Sequence, residues 1–272
     1  MTTPDLAAYS DLMAALTAIT MAAAAAIRRA SGQGGVHIKQ DGSPVTAADQ
    51  AAETVIRDGL MRVAPDWPII SEETVERAKP AAGQTYFLVD PLDGTREFIA
   101  GLDEYTVNIA VVAGGAPRLG IIAQPARAVI WRGIVGRGAE KLEFSAGTAG
   151  TPRAITTRAR PQRELVVMVS RSHLDARTQA FVDSLPHKAP VGCGSSVKFC
   201  RVAEGAADVY PRLAPTHDWD IAAGHAILVA AGGTVIDPDG KTLRYGTAEL
   251  LIPAFVAWGG PAPTKPAVET GH

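Results

Sequence analysis

The sequence predicts an α/β protein: two N-terminal helices, then a meandering sheet, then a second half alternating strand and helix. Three observations predict it. Apolar residues recur at helical steps between Leu6 and Val63, turn-separated apolar runs follow between Pro68 and Val135, and strand and helix patterns alternate from Leu165 to Ile236. At 272 residues with 47% hydrophobic and 20% charged residues, the chain has ample material for a packed core, which excludes a disordered or acidic-tail protein.

The elements follow in order. Leu6, Tyr9, Leu12, Met13, Leu16, Ile19, Ala23 and Ile27 form one stripe of a long amphipathic helix. A Gly-rich break at 31–35 and a polar segment from His37 to Pro44 precede a second helix marked by Ala52, Val55, Ile56, Leu60 and Val63, with Thr46 as N-cap and Asp49 in its first turn. Strands are expected at 68–70, 86–89, 106–112, 119–123 and 129–135, separated by turns such as Gly114-Gly115-Ala116-Pro117. The polar stretch from Ser145 to Pro161 is the expected internal boundary. Beyond it come a strand at 165–169, helices near 176–185 and 197–204, a strand at 208–210, a helix at 221–231 and a strand at 234–236. This divides the chain into 1–148, 149–258 and a tail, 259–272, expected to fray.

Charge and cysteine content exclude several functions. With 26 Lys plus Arg against 28 Asp plus Glu the net charge is −2, unlike the basic stripe of a nucleic-acid binder, so no polymer partner is expected. Cys193 and Cys200 are too few for a disulfide framework and read as small buried hydrophobes. No basic-then-apolar leader opens the sequence, and the longest apolar run, Met21 to Ile27, stops at Arg28-Arg29. The expectation is a cytoplasmic protein without a transmembrane segment, its Ala-rich first helix packing on the core rather than lying on the inner membrane face. There is no phosphate-binding Gly-Lys loop, dinucleotide fingerprint, nucleophile elbow or zinc pattern, and His217 and His225 read as capping or packing residues.

The most informative segment is Leu88-Val89-Asp90-Pro91-Leu92-Asp93-Gly94-Thr95. An apolar strand delivers Asp90, Pro91 is expected to stop the ladder, and a turn brings back Asp93. Two carboxylates at one strand end, with the Leu92 carbonyl between them, suit a hard divalent cation. Gly94 and Thr95 open a short helix at 96–99, whose first amides are phosphate ligands in type. Ser71-Glu72-Glu73 brings a carboxylate to a second strand end. Asp49 and Asp220 each sit in the first turn of a helix, where capping alone explains either one. Taken together, in this order and chemistry, the four segments are not explained by turns and caps alone, and with the other motifs absent a hydrolase working through metal-bound water is the simplest class left.

These residues resemble the magnesium-dependent, lithium-sensitive phosphatases of the inositol monophosphatase superfamily, whose two signatures are matched by Val89–Thr95 and by Trp219-Asp220-Ile221-Ala222-Ala223-Gly224. Thr95–Ile99, Ser170-Arg171-Ser172-His173, Gly194–Cys200 and Tyr210-Pro211-Arg212 resemble the 3′(2′),5′-bisphosphate nucleotidase branch of CysQ type. The resemblance implies alternating helix and sheet layers, with the site between the halves. It implies that Glu72, Asp90, the Leu92 carbonyl, Asp93 and Asp220 hold two or three Mg²⁺ ions, with Glu73 a weaker candidate. Asp49 and Thr95 would activate the attacking water, and the Gly94 and Thr95 amides would hold the scissile phosphate. Ser195, Lys198 and Arg212 would meet a second phosphate, His173 the nucleotide, and Glu72, Leu92, Asp93 and Asp220 would also face the substrate. Arg171 is either a ligand or a solvated arginine.

The implied activity is hydrolysis of adenosine 3′,5′-bisphosphate to AMP and phosphate, and of 3′-phosphoadenylyl sulfate, clearing a by-product of sulfate assimilation in a monomer or homodimer. Two alternatives stand beside it: an inositol or other sugar-phosphate phosphatase, and a catalytically silent protein binding metal or nucleotide.

Overall fold

The computed structural model describes residues 6–32, 35–39, 42–77, 81, 83–159, 164–172 and 174–263. The first stripe forms helix α1 (Leu6–Ala30) and the second α2 (Ala47–Val63). Thr46 caps α2 through its side chain, which accepts from the Ala48 N–H, while Asp49 accepts from the Thr46 N–H at 2.8 Å. That reciprocal capping box fixes where the helix starts. Between the helices the polar segment forms a small antiparallel pair, β1 (His37–Ile38) and β2 (Pro44–Val45), too short for periodicity to reveal.

Four strands of the expected meander are antiparallel, β4 (Tyr86–Asp93), β5 (Thr106–Ala113), β6 (Ala116–Gln124) and β7 (Val129–Ile134), and β8 (Gly138–Ser145), not expected from the sequence, continues them. β3 (Ile69–Ser71), expected in the same meander, is instead parallel to β4 at one edge. A five-residue helix, α3 (Thr95–Ile99), leaves the end of β4. The polar stretch expected to separate the halves contains two more strands, β9 (Thr148–Ala149) and β10 (Arg153–Ile155), both pairing with β8.

The second sheet has the order β12-β11-β13-β17-β15, built from β11 (Leu165–Ser170), β12 (Lys188–Cys193), β13 (Val209–Arg212), β15 (Thr234–Ile236) and β17 (Phe255–Trp258). Helices α4 (Ala176–Ser184), α5 (Val197–Ala203) and α6 (Asp218–Ala230) intervene, and β14 (Thr216–His217) pairs with β16 (Leu251–Ile252). β12 and β17 were not expected from sequence: β12 is a half-exposed edge strand carrying Pro190 and Gly192 and so shows no apolar run, and β17, though buried, is only four residues long.

Side chains alternate along β4 and bind the layers together. Phe87 and Val89 pack with Leu16, Ile27, Ile56 and Leu60 of α1 and α2, whereas Tyr86 and Leu88 pack with Phe199, Ile221 and Ile227 of α5 and α6. With both faces covered, the strand reads as an unbroken apolar run. On the far side of α5 and α6 lies the second sheet, through Met168, Tyr210 and Phe255, and its outer face takes Phe181 and Val182 of α4. The layers therefore run helix pair, sheet, helix pair, sheet, helix. Close approach sets the seat of α6 on the first sheet: a Cβ on Gly120 would stand 2.2 Å from the Ala223 carbonyl oxygen.

By length and composition 8–30 of α1 would suffice to cross a membrane, a property that counting the run Met21 to Ile27 overlooks. In this fold Tyr9, Leu16, Ala23, Ala24 and Ile27 are buried in the core. Of the expected tail, 264–272 lie outside the described residues, while the Gly259 N–H donates to the Asp208 carbonyl at 2.8 Å.

Candidate active site

β4 does not stop at Pro91. Asp90 pairs with Asn108, the register then shifts, and pairing resumes between Asp93 and Thr106. A bulge absorbs the residue that lacks an N–H, so Asp90 and Asp93 are re-aimed at one end of the strand. The Leu92 N–H turns back to Asp90 Oδ1 at 3.0 Å. Gly94 then adopts φ 90°, and a Cβ there would meet the Glu104 carbonyl oxygen at 2.8 Å and Ser195 Cβ at 3.3 Å. Only glycine allows both that backbone conformation and that approach.

Thr95 follows, and its hydroxyl lies 3.2 Å from Asp49 Oδ1 and 3.1 Å from the Leu92 carbonyl oxygen. The other oxygen of Asp49 is engaged by the Thr46 hydroxyl at 2.6 Å and the Thr46 N–H. The capping residue of α2 thus also reaches the end of β4, two roles that sequence alone does not separate.

Glu72 stands at the end of β3, anchored from behind: Glu53 of α2 accepts from the Ser71 hydroxyl at 2.6 Å and from the Thr74 hydroxyl at 3.1 Å. In front, Lys39 Nζ lies 2.8 Å from Glu72 Oε1 and 2.6 Å from Glu73 Oε1. Burial opposes charge on Lys39, but the two carboxylates outweigh it and raise its pKa. Burial pushes Glu72 up to about 7 despite Lys39, with Asp220 and Glu73 adding to the rise. Asp90 is pushed well up by burial and by Glu72, Asp93 and Asp220, and Asp93 is raised by burial and Asp220.

Asp93 is held by the second half. Its Oδ2 accepts from the Ser196 N–H at 2.6 Å and lies 2.8 Å from the Ser196 hydroxyl, which is 2.7 Å from the Asp220 carbonyl oxygen. Asn108 Nδ2 donates to the Ser196 hydroxyl at 3.0 Å. Asp220, third residue of α6, accepts from the His217 N–H at 3.1 Å and from the Thr216 hydroxyl.

The remaining wall is the loop before α5. Ser195 takes a left-handed φ of 46°, and Lys198, almost fully buried, directs Nζ at the Ser195 carbonyl at 2.5 Å and the Cys193 carbonyl at 3.2 Å, over the Tyr210 ring. Arg212 on β13 donates to the Pro215 carbonyl at 3.4 Å, and its buried Nε has no hydrogen-bond partner. Arg171 grips Glu104 through Nε at 2.9 Å and Nη2 at 2.7 Å and donates to the Gly192 carbonyl, while Glu104 accepts from the Gly194 N–H. Its contacts are therefore those of a loop brace. His173 lies outside the described residues.

Glu72, Asp90, Leu92, Asp93, Gly94, Thr95, Ser195, Lys198, Arg212 and Asp220 line one cleft of about 370 Å³, and Asp49 joins them through Thr95. The sequence reading missed Lys39, Glu53, Asn108 and Ser196, whose roles depend on partners remote in the chain.

The donor set is wholly oxygen and strongly acidic, with Lys39, Lys198 and Arg212 bringing positive charge to the same cleft. That chemistry fits hard divalent cations. Among the described residues no group of three or more His, Cys, Asp or Glu is already set to hold an ion. Glu72 is instead held by Lys39, and Asp220 is turned to the Thr216 hydroxyl and the His217 N–H.

The inositol monophosphatase family model matches residues 8–264. A relative from Shigella flexneri, "3′(2′),5′-bisphosphate nucleotidase CysQ", is 47% identical over 220 residues, 80% of this chain and 86% of that protein. A protein of the same name from Haemophilus influenzae is 32% identical over 227 residues, 82% of this chain and 83% of its own. Among solved structures, CysQ from Bacteroides thetaiotaomicron superposes with a TM-score of 0.75 at 33% identity, covering 92% of this chain and 97% of that one. An inositol monophosphatase from Thermotoga maritima superposes with a TM-score of 0.75 at 25% identity, covering 92% of each chain.

Proposed function

This chain belongs to the inositol monophosphatase family, and from that premise we propose that it is a Mg²⁺-dependent 3′(2′),5′-bisphosphate nucleotidase converting adenosine 3′,5′-bisphosphate to AMP and phosphate. The observation that carries the hydrolytic reading is the 3.2 Å contact of the Thr95 hydroxyl with Asp49, beside the acidic end of β4. In this reading Asp49 accepts the Thr95 proton, and Thr95 in turn accepts a proton from the attacking water. Glu72, Asp90, the Leu92 carbonyl, Asp93 and Asp220 would hold two or three Mg²⁺ ions, and the ions would compete with Lys39 for Glu72. When bound, the ions supply positive charge that lowers the pKa of the attacking water and offsets charge on the attacking and leaving oxygens. The Gly94 and Thr95 N–H groups orient the scissile phosphate, a role their position beside Asp93 supports. No nucleophilic side chain is needed, so no phosphoenzyme forms.

The second phosphate falls to Ser195, Lys198 and Arg212. Of these, Arg212 is the best supplied, because its Nε lacks a partner in the cleft wall and a guanidinium suits a phosphate. Lys198 contributes by shaping the loop as well as by its charge. The identity to bisphosphate nucleotidases supports this substrate over an inositol phosphate, and the packing of α1 in the core supports a soluble enzyme.

Phosphate release from adenosine 3′,5′-bisphosphate and from inositol 1-phosphate, each with Mg²⁺ and with and without Li⁺, tests the reading. The nucleotide is expected to be the better substrate, with Li⁺ inhibiting. Asp93→Asn is expected to lower turnover at least about 100-fold. Preference for inositol phosphate overturns the substrate, and absence of release from either overturns the activity.

A further inference from the structure

We infer that His217, stacked on Trp219, is the platform for the nucleobase and separates nucleotides from other phosphate esters at this site; the inference rests on the nucleotidase reading above. The His217 and Trp219 rings lie parallel, with centroids 4.4 Å apart and planes 8° from coplanar, and both line the cleft. Four aromatic rings line that cleft among the described residues: Phe199, Tyr210, His217 and Trp219. Three have no face to offer. Phe199 and Tyr210 are almost wholly buried, edge-on to each other with Lys198 over the Tyr210 ring, and Trp219 is covered by the imidazole itself. His217 alone of the four is exposed.

Its backbone explains why the ring is held there. The His217 N–H donates to Asp220 Oδ2 and the residue pairs with Leu251 through β14, so the turn into α6 is pinned on both sides. The indole behind the imidazole fixes the ring plane, and a stack already formed loses less freedom when a third ring is added. Position agrees with chemistry. Arg212, the guanidinium offered to the second phosphate, precedes His217 by one short turn, and Asp220 follows it in the first turn of α6. A nucleotide with one phosphate at the acidic end and one at Arg212 brings its base to this rim of the cleft. Purines stack on such a face irrespective of their edge groups. An inositol ring has no aromatic face and gains nothing from it.

The test is steady-state kinetics of the Mg²⁺-loaded enzyme on adenosine 3′,5′-bisphosphate and on its abasic analogue, 1-deoxyribose 3,5-bisphosphate. His217→Ala is expected to raise KM for the nucleotide about tenfold, the scale of one base stack, and to leave KM for the abasic analogue in place. His217→Phe is expected to restore the nucleotide KM. A KM that rises equally for both substrates means that His217 acts through Asp220, and this overturns the inference. So does a nucleotide KM indifferent to His217→Ala. In both cases turnover of the nucleotide by the unaltered enzyme leaves the nucleotidase reading standing; no such turnover brings down that reading and the inference with it.

Discussion

Thr95 concentrates the chemistry of this cleft in one hydroxyl, because its two neighbours, Asp49 Oδ1 at 3.2 Å and the Leu92 carbonyl at 3.1 Å, compete for a single proton. Only the carboxylate can take that proton away. Thr95→Val keeps the shape and removes the hydroxyl, and we expect kcat to fall about 10²- to 10⁴-fold, the range for a lost proton-transfer group. The urea midpoint should scarcely move, since Thr95 is only partly buried; a large midpoint shift would mark the residue as structural. At this scale the sequence was informative wherever a motif is local. Asp90, Leu92, Asp93 and Thr95 are legible because one bulged strand end presents them all. Lys39 and Ser196 were not, since Lys39 meets Glu72 from 33 positions away and Ser196 meets Asn108 across 88. The role of Pro91 was misread for a related reason: whether a proline ends a strand or sits in a bulge depends on the neighbouring strand.

Helix α6 links the site to the core, and two of its contacts are open to test. Its seat on β6 has no room for a side chain at Gly120, where a Cβ would lie 2.2 Å from the Ala223 carbonyl oxygen. Neither partner is a flexible side-chain end, so Gly120→Ala must push backbone from backbone. It is expected to cost about 1–3 kcal/mol by urea unfolding and to lower activity by shifting Asp220. Farther along α6, His225 lies against Tyr245, Nδ1 to Oη 2.8 Å, and desolvation pulls its pKa down to about 4. The unfolded chain takes up that proton below about pH 6.5 and the folded one does not, so folding loses stability as pH falls from 6.5 towards 4. Asp218, raised to about 6 by burial, works in the opposite direction. The comparison must therefore be with His225→Phe, in which the loss between pH 7 and pH 5 should shrink by about 2 kcal/mol. An unchanged pH dependence would mean that the imidazole titrates normally. Elements were legible where they are long as well as buried: α1, α2 and β4 carry long apolar patterns, whereas β1, β2 and β12 are short or half-exposed and β17, though buried, spans only four residues.

The whole molecule joins its site from two halves, and the core argues that they fold as one. Asp90 and Asp93 come from the first sheet, Ser196 and Asp220 from the helices beyond it, and the single cluster that backs them unites Ile70, Tyr86, Leu88 and Trp131 with Phe199, Trp219 and Ile227. Separating 1–148 from 149–258 would expose that cluster on both sides, and would also part β10 from β8. We propose that the division seen in the sequence is one of chemistry, with most metal ligands before it and the second-phosphate contacts after it, but not one of cooperativity. Trp67 and Trp131 lie before the division and Trp219 and Trp258 after it, so fluorescence samples both halves. Urea unfolding followed by fluorescence and by far-ultraviolet circular dichroism is expected to give coincident single transitions. Fragment 1–148 alone is expected to stay unfolded, because α6 supplies the cover for one face of its sheet. Two separated transitions, or a folded fragment, would make the halves autonomous and leave the cleft as a joint between domains.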